Sequence, residues 1–238
     1  ATPGDGNNSR RYYQNCDLIL THCPAASNMR DRTIFFNLYS GFFALIQMKL
    51  IVDDGGTLQT ELSKRFVEQA EIHGDPVHTC RAMAMQSLTL GRIGKFEEAI
   101  TAQKSLEKIY KPKEHSAGIC REYATDRAAQ NYGYSILWYE ILGRHDETEA
   151  QIEFILDELM PQMPPKNVHN SLMIIFQALW VLKDRGAARK AEAAFLNHVY
   201  NPFHEYFGEG SITFFMSIFE PIKNLLRLAG NIQEGAPC

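Results

Sequence analysis

Leu90-Gly91-Arg92-Ile93-Gly94-Lys95-Phe96-Glu97-Glu98-Ala99-Ile100, running on to Tyr110, is the stretch that decides how this chain folds. Gly94 supplies the backbone freedom that a sharp helix-to-helix turn needs. Phe96, Ala99 and Ile100 then recur at helical spacing, with Glu97 and Glu98 on the other face. Those two acids stand in a first turn, where the helix dipole favours negative charge. Ala99 is small, so two helices can approach closely there. Lys108 and Lys111 suit the C-terminal end of the second helix, and Pro112 stops it. The stretch therefore predicts the end of one helix, a tight glycine turn and an antiparallel partner.

The same grammar returns downstream. Leu142-Gly143-Arg144-His145-Asp146-Glu147 opens a helix predicted to end at Met160-Pro161, and Gly94 to Pro112 and Gly143 to Pro161 both span 18 residues. Asp184-Arg185-Gly186-Ala187-Ala188 leads into a helix with Ala191 and Phe195, closed near Asn201-Pro202. Leu228-Ala229-Gly230 ends a last apolar helix, and Asp53-Asp54-Gly55-Gly56 reads as the first turn of the series. Eleven residues before Gly56, Gly94, Gly143, Gly186 and Gly230 stand Leu45, Met83, Tyr132, Ile175 and Phe219. Four residues before them stand Val52, Leu90, Tyr139, Leu182 and Leu226. All ten are large and apolar in a chain that is 45% hydrophobic, so chance is a poor account of them. The two positions are seven apart, share one helix face, and are expected to pack against the partner helix.

This pattern resembles the tetratricopeptide repeat family, best over Arg81 to Pro112. There Gly-Lys-Phe-Glu-Glu-Ala-Ile stands where that family has its turn and second-helix signature. The resemblance is weaker over Tyr132 to Pro161 and Ile175 to Pro202. The glycines are 38, 49, 43 and 44 residues apart, whereas the family repeats every ~34. The family's small first-helix residue is here Lys49, Ser87, Ile136, Leu179 or Lys223. HEAT-like repeats of ~40–47 residues therefore stay open as a label. The resemblance implies an all-α, right-handed solenoid of antiparallel helix hairpins, with about ten helices over residues 9–230. A linker at 1–8 and a tail at 231–238 flank it.

Composition narrows the function classes. At 238 residues the chain can bury a large core. A net charge of −4 and a pI near 6.1 provide no general attraction to nucleic acid. No apolar run reaches the ~18 residues of a spanning helix; the nearest, Phe35 to Val52, is interrupted by Asn37, Ser40, Gln47 and Lys49. No signal peptide is recognisable, and the polar, Gly- and Asn-rich start at Ala1 to Ser9 reads as the edge of a longer protein. Five cysteines without framework spacing predict reduced thiols and an intracellular, cytoplasmic setting.

In chain order, helices are expected over 9–23, 33–52, Thr57 to His73, 77–91, 95–110, Ala117 to Leu142, Glu147 to Met160, 167–183, 187–200 and 211–229. Gly74-Asp75-Pro76 is a turn, Lys111 to Ser116 a charged connector, and Pro161 to Pro165 the strongest break. No segment alternates with period two, so no strand is expected.

Chemistry-bearing motifs are sparse. His73, His78 and Cys80, like Cys16, His22 and Cys23, match no zinc-finger or ribbon spacing. No nucleophile elbow or catalytic cysteine setting is present. Asp53-Asp54-Gly55-Gly56 and Gly208-Glu209-Gly210-Ser211 lack the residues of a phosphate-binding loop. No catalytic residue, metal or cofactor is expected. In the resembled family the first helix of each hairpin lines a concave groove. On that register the groove carries Arg81, Gln130, Glu140, Phe176, Trp180, Lys183, Asn224 and Arg227, with Arg127 and Asn131 one turn earlier. Lys183 and Arg227 suit a partner carboxylate, and the Asn groups suit its backbone. The expected function is a non-catalytic scaffold that binds a protein or peptide, as part of a larger multidomain protein and without nucleic acid or membrane. A regulatory module that self-associates as a homodimer, and a helical enzyme with a buried polar site, are the competing readings.

Overall fold

A computed structural model describes residues 36–41, 43, 56–163, 168–201 and 205, with the backbone alone for 168–173, 176, 183, 188 and 200. Every regular element among the described residues is helical. Residues 36–41 and 43 are helical. They are followed by α1 (Thr57–His73), α2 (Pro76–Arg92), α3 (Phe96–Glu107), α4 (Pro112–Tyr123), α5 (Arg127–Ile141), α6 (His145–Glu153), α7 (Val168–Asp184) and α8 (Ala188–Phe195). Helix α6 continues as a wider π-helical turn over Phe154–Leu159 and a 3-10 turn over Met160–Gln162, and α8 continues as a π turn over Leu196–Tyr200. The helices expected over 9–23 and 211–229, most of that over 33–52, and the fifth glycine, Gly230, lie outside the described residues.

The glycine turns share one geometry. Gly56, Gly94, Gly143 and Gly186 all hold left-handed backbone, with φ of 75°, 81°, 69° and 84°. After three of them the next N–H reaches back five residues. Lys95 donates to the Leu90 carbonyl at 2.9 Å, Arg144 to Tyr139 at 2.9 Å and Ala187 to Leu182 at 2.7 Å. This six-to-one hydrogen bond satisfies a carbonyl that a helix end leaves orphaned. The accepting residue is the apolar one four places before the glycine. The new helix begins two residues after the glycine, and its fifth residue from the glycine is Ala99, Thr148 or Ala191, each fully buried.

The chain divides into two compact units, Ala1–Tyr110 with Gly118–Thr125, and Lys111–Ala117 with Asp126–Cys238. In the first unit, α2 packs against both α1 and α3. The Ser87 hydroxyl donates to the Ala99 carbonyl at 2.8 Å across the α2–α3 hairpin. The core gathers Phe36, Tyr39, Phe43, Leu62, Phe66, Ala70, Ala82 and Met85. Phe36 stacks on His78, its ring centroid 4.1 Å away, and Arg81 Nε donates to Ser40 at 3.3 Å. These partners lie 42 and 41 residues apart, so the 36–43 segment runs parallel to α2.

In the second unit, α5 packs against α6 and α7, and α7 against α8. Tyr132 and Phe154 stack at 5.3 Å, each 11 residues from Gly143, which shows the antiparallel hairpin. Gly133 abuts the Ile174 carbonyl and Gln177, 41 and 44 residues ahead, while Glu140 pairs with Arg185, 45 ahead. The three offsets bracket the 43 residues between Gly143 and Gly186. Helices α5 and α7 are therefore parallel, at an offset close to the spacing of the two glycines.

Four sequence expectations change. The single helix expected over Ala117 to Leu142 is two helices, α4 and α5. Ala124 takes φ 60° between them, and Asp126, fully buried, caps α5 by accepting the Ala129 N–H at 3.0 Å. The connector over Lys111 to Ser116 is largely helix, because Pro112 suits a first helical turn. The helix read up to Met160 widens at Phe154. Tyr132, Tyr139, Ile175 and Leu182 are buried as expected, but Met83 and Leu90 are only half-buried; Ala82, Met85 and Leu88 carry the apolar burial of α2 instead.

Gly94 and Gly133 separate two roles of glycine. A Cβ at Gly94 meets open space, so Gly94→Ala is expected to cost about 1 kcal/mol through its left-handed backbone alone. A Cβ at Gly133 would overlap the Ile174 carbonyl oxygen, so Gly133→Ala is expected to cost about 1–3 kcal/mol by overpacking. Urea denaturation followed by circular dichroism measures both.

Candidate functional site

In the second unit the parallel helices α5 and α7 place equivalent positions side by side. Six residues before the turn glycines stand Leu88, Leu137 and Trp180. Leu88 is 4% exposed, Leu137 is half-buried and Trp180 is 61% exposed. Two residues before the later glycines, Ile141 is 61% exposed and Asp184 is exposed. In the second unit, α5 and α7 thus leave Ile141 and Trp180 exposed and Leu137 half-buried. In α2 the same face is shut: Arg81, Ala84, Leu88 and Gly91 are all buried.

The sequence-predicted groove residues fall into different settings. Arg81 is 6% exposed; its guanidinium lies 5.0 Å from the Tyr123 ring and its Nε bonds Ser40, so it belongs to the interior of the first unit. Gln130 and Asn131 are 0% and 1% exposed, inside the second unit rather than on an open face. The reason is that α5 starts at Arg127, so its first turn packs inward under the Asp126 cap. Arg127, half-buried, donates to Gln130 Oε1 at 2.9 Å. Trp180 is at the surface. Lys183 lies on α7, with its side chain outside the description, and Asn224 and Arg227 lie outside the described residues. Arg127, Gln130, Asn131 and Trp180 share the second unit; Arg81 belongs to the first.

The histidines weighed as metal ligands take aromatic roles. Phe36 meets the His73 ring edge-on at 5.6 Å and stacks on His78. His78 Nδ1 is hydrogen-bonded to the Tyr123 hydroxyl at 2.5 Å. Burial pushes the Tyr123 phenol far above its ordinary value, opposed by the Arg81 charge and reinforced by Glu122 and Asp75. Tyr123 therefore stays protonated.

An ion cluster that sequence reading missed ties the two later turns together. Arg185, immediately before Gly186, donates to Glu140 through Nη2 and to Glu149 at 3.2 Å through Nη1. His145 Nδ1 lies 3.1 Å from the guanidinium and 3.4 Å from Glu140. The only hint in the sequence was charge close to successive turn glycines: Glu140 three residues before Gly143 and Arg185 one before Gly186. Burial raises the Glu140 carboxyl, but hydrogen bonds from Thr148 and His145 and the charges of Arg185 and His145 outweigh it and hold the pKa below 4.5. Among the described residues, no helix is long and apolar enough to cross a membrane.

Comparison with known proteins brings no relative to this geometry: no family model, no curated protein and no solved structure matches the chain.

Because the folded-state pKa of Glu140 is depressed, its contribution to stability is present above about 4.5 and is lost as pH falls through the folded value. Glu140→Gln is expected to be less stable than wild type at neutral pH and to converge with it in acid. Denaturation curves at a series of pH values test this; a gap that persists unchanged below the folded pKa counts against the ionic clasp.

Proposed function

We propose that the chain is a divergent tetratricopeptide-like solenoid that serves as a non-catalytic protein-interaction scaffold. The observation that carries this reading is Trp180, a large aromatic 61% exposed on a helix locked in register beside Leu137. An indole has only two side-chain torsions to fix on binding, and Trp is enriched among residues that dominate interface energies. The left-handed glycine turns and the parallel packing of α5 and α7 support a repeating stack. In such a stack a hairpin cannot bury its face alone, and its successive first helices line one continuous surface. The partner is a peptide or protein segment with an apolar anchor, because Leu137, Ile141 and Trp180 are apolar and Asp184 offers an exposed carboxylate on α7. Lys183, from its place on α7, suits a partner carboxylate; Asn224 and Arg227 extend the same register in sequence. A regulatory role within a longer multidomain chain fits the same surface.

The test is selection of displayed peptides on the full chain, followed by fluorescence anisotropy with the selected sequences. Trp180→Ala is expected to weaken binding by at least about tenfold, as loss of a central aromatic anchor does, with helical circular dichroism unchanged. Peptides that bind wild type and Trp180→Ala equally would move the function off this face.

A further inference from the structure

Residues 118–125 take an unusual course. Gly118–Thr125 belongs to the first unit, yet the residues on both sides of it in sequence, Lys111–Ala117 and Asp126 onward, belong to the second. Within the first unit this stretch lies on the N-terminal part of α2. Gly118 stands so close to Val77 that a Cβ would come within 2.9 Å of Val77 Cγ2. Five residues on, the Tyr123 hydroxyl bonds His78 at 2.5 Å, its ring meets the His78 ring edge-on at 5.8 Å, and the Arg81 guanidinium lies 5.0 Å from the ring centroid.

Two features mark this contact. It is polar, resting on a phenol hydrogen bond and a cation–π contact, where Tyr123 packs at the edge of the first unit's core. It is also followed at once by a strained turn: Ala124 has φ 60°, and the Thr125 N–H donates to the Tyr123 carbonyl two residues back at 2.7 Å. Non-glycine residues take up such a turn only where surrounding contacts enforce it, so releasing Tyr123 would also relieve Ala124.

We propose that the Val77–His78–Arg81 face of α2 is a binding site for helical segments presenting a small residue and, five residues later, a phenol, and that residues 118–123 occupy it in cis as a displaceable plug. The free partner is then a protein helix of the same chemistry. Gly118 models the small residue that permits close approach to Val77, and the protonated Tyr123 supplies the hydroxyl and the ring face. This site is separate from the open face of α5 and α7 and does not depend on it.

Hydrogen exchange on the wild-type full chain is the first test. Amides of 118–123 are expected to exchange through local opening, more than about tenfold faster than those of Ala82 to Leu88 in mid-α2. Exchange of 118–123 only with global unfolding would overturn the proposal. The second test uses a fluorescein-labelled peptide of residues 111–125 carrying Cys120→Ser. It is expected to bind the Tyr123→Ala and Ala124→Pro chains at least about tenfold more tightly than wild type, since each weakens the competing segment in cis. The same peptide carrying Tyr123→Phe is expected to lose most of that affinity. Equal binding to wild type and to folded variants would overturn the proposal; if both variants fail to fold, the wild-type exchange result decides. Trp180→Ala should leave peptide binding unchanged, which separates this site from the scaffold reading.

Discussion

The structure depends on how each hairpin is closed. A glycine in left-handed backbone lets the following N–H reach the carbonyl five residues back, satisfying the helix end and reversing the chain in one step. With the reversal fixed, the next helix must start two residues after the glycine. That places a buried small residue at the same distance each time: Ala99, Thr148 and Ala191. It also sets Ser87 opposite Ala99 and Tyr132 opposite Phe154. Each pairing follows from the turn, whatever the chemistry of the side chains that meet.

A second constraint acts between successive hairpins. Gly133 admits the Ile174 carbonyl at one level of the second unit, and the Glu140–Arg185–Glu149 cluster joins the turns at another. Two fixed points define a parallel register, where one would allow a slide. The exposed ion pairs are individually weak, so their value here is geometric as much as energetic. A polar contact with fixed partners discriminates against a one-turn shift that apolar packing would tolerate. In the first unit the Phe36–His78 stack and the Ser40–Arg81 bond fix the register of the 36–43 segment on α2 in the same way.

From these two constraints comes the contrast between a closed and an open face. The position six residues before the turn glycine is buried at Leu88 and exposed at Trp180. Gly118 to Tyr123 lies over the N-terminal part of α2, at Val77, His78 and Arg81.

Much of this was legible along the chain. The turns at Gly94, Gly143 and Gly186 and the helices they join are local events, decided within a few residues by glycine, apolar spacing and capping. The break at Ala124 was not legible, because alanine favours helix and only the Thr125-Asp126 cap marks a new start. Nor could the sequence tell that Met83 and Leu90 are half-buried, or that Arg81, Gln130 and Asn131 are interior. By itself, the sequence determined that these residues form hairpins and where each one turns. Only the tertiary structure decided which face of each helix reaches solvent, because burial depends on neighbours some forty residues away whose register no local pattern records.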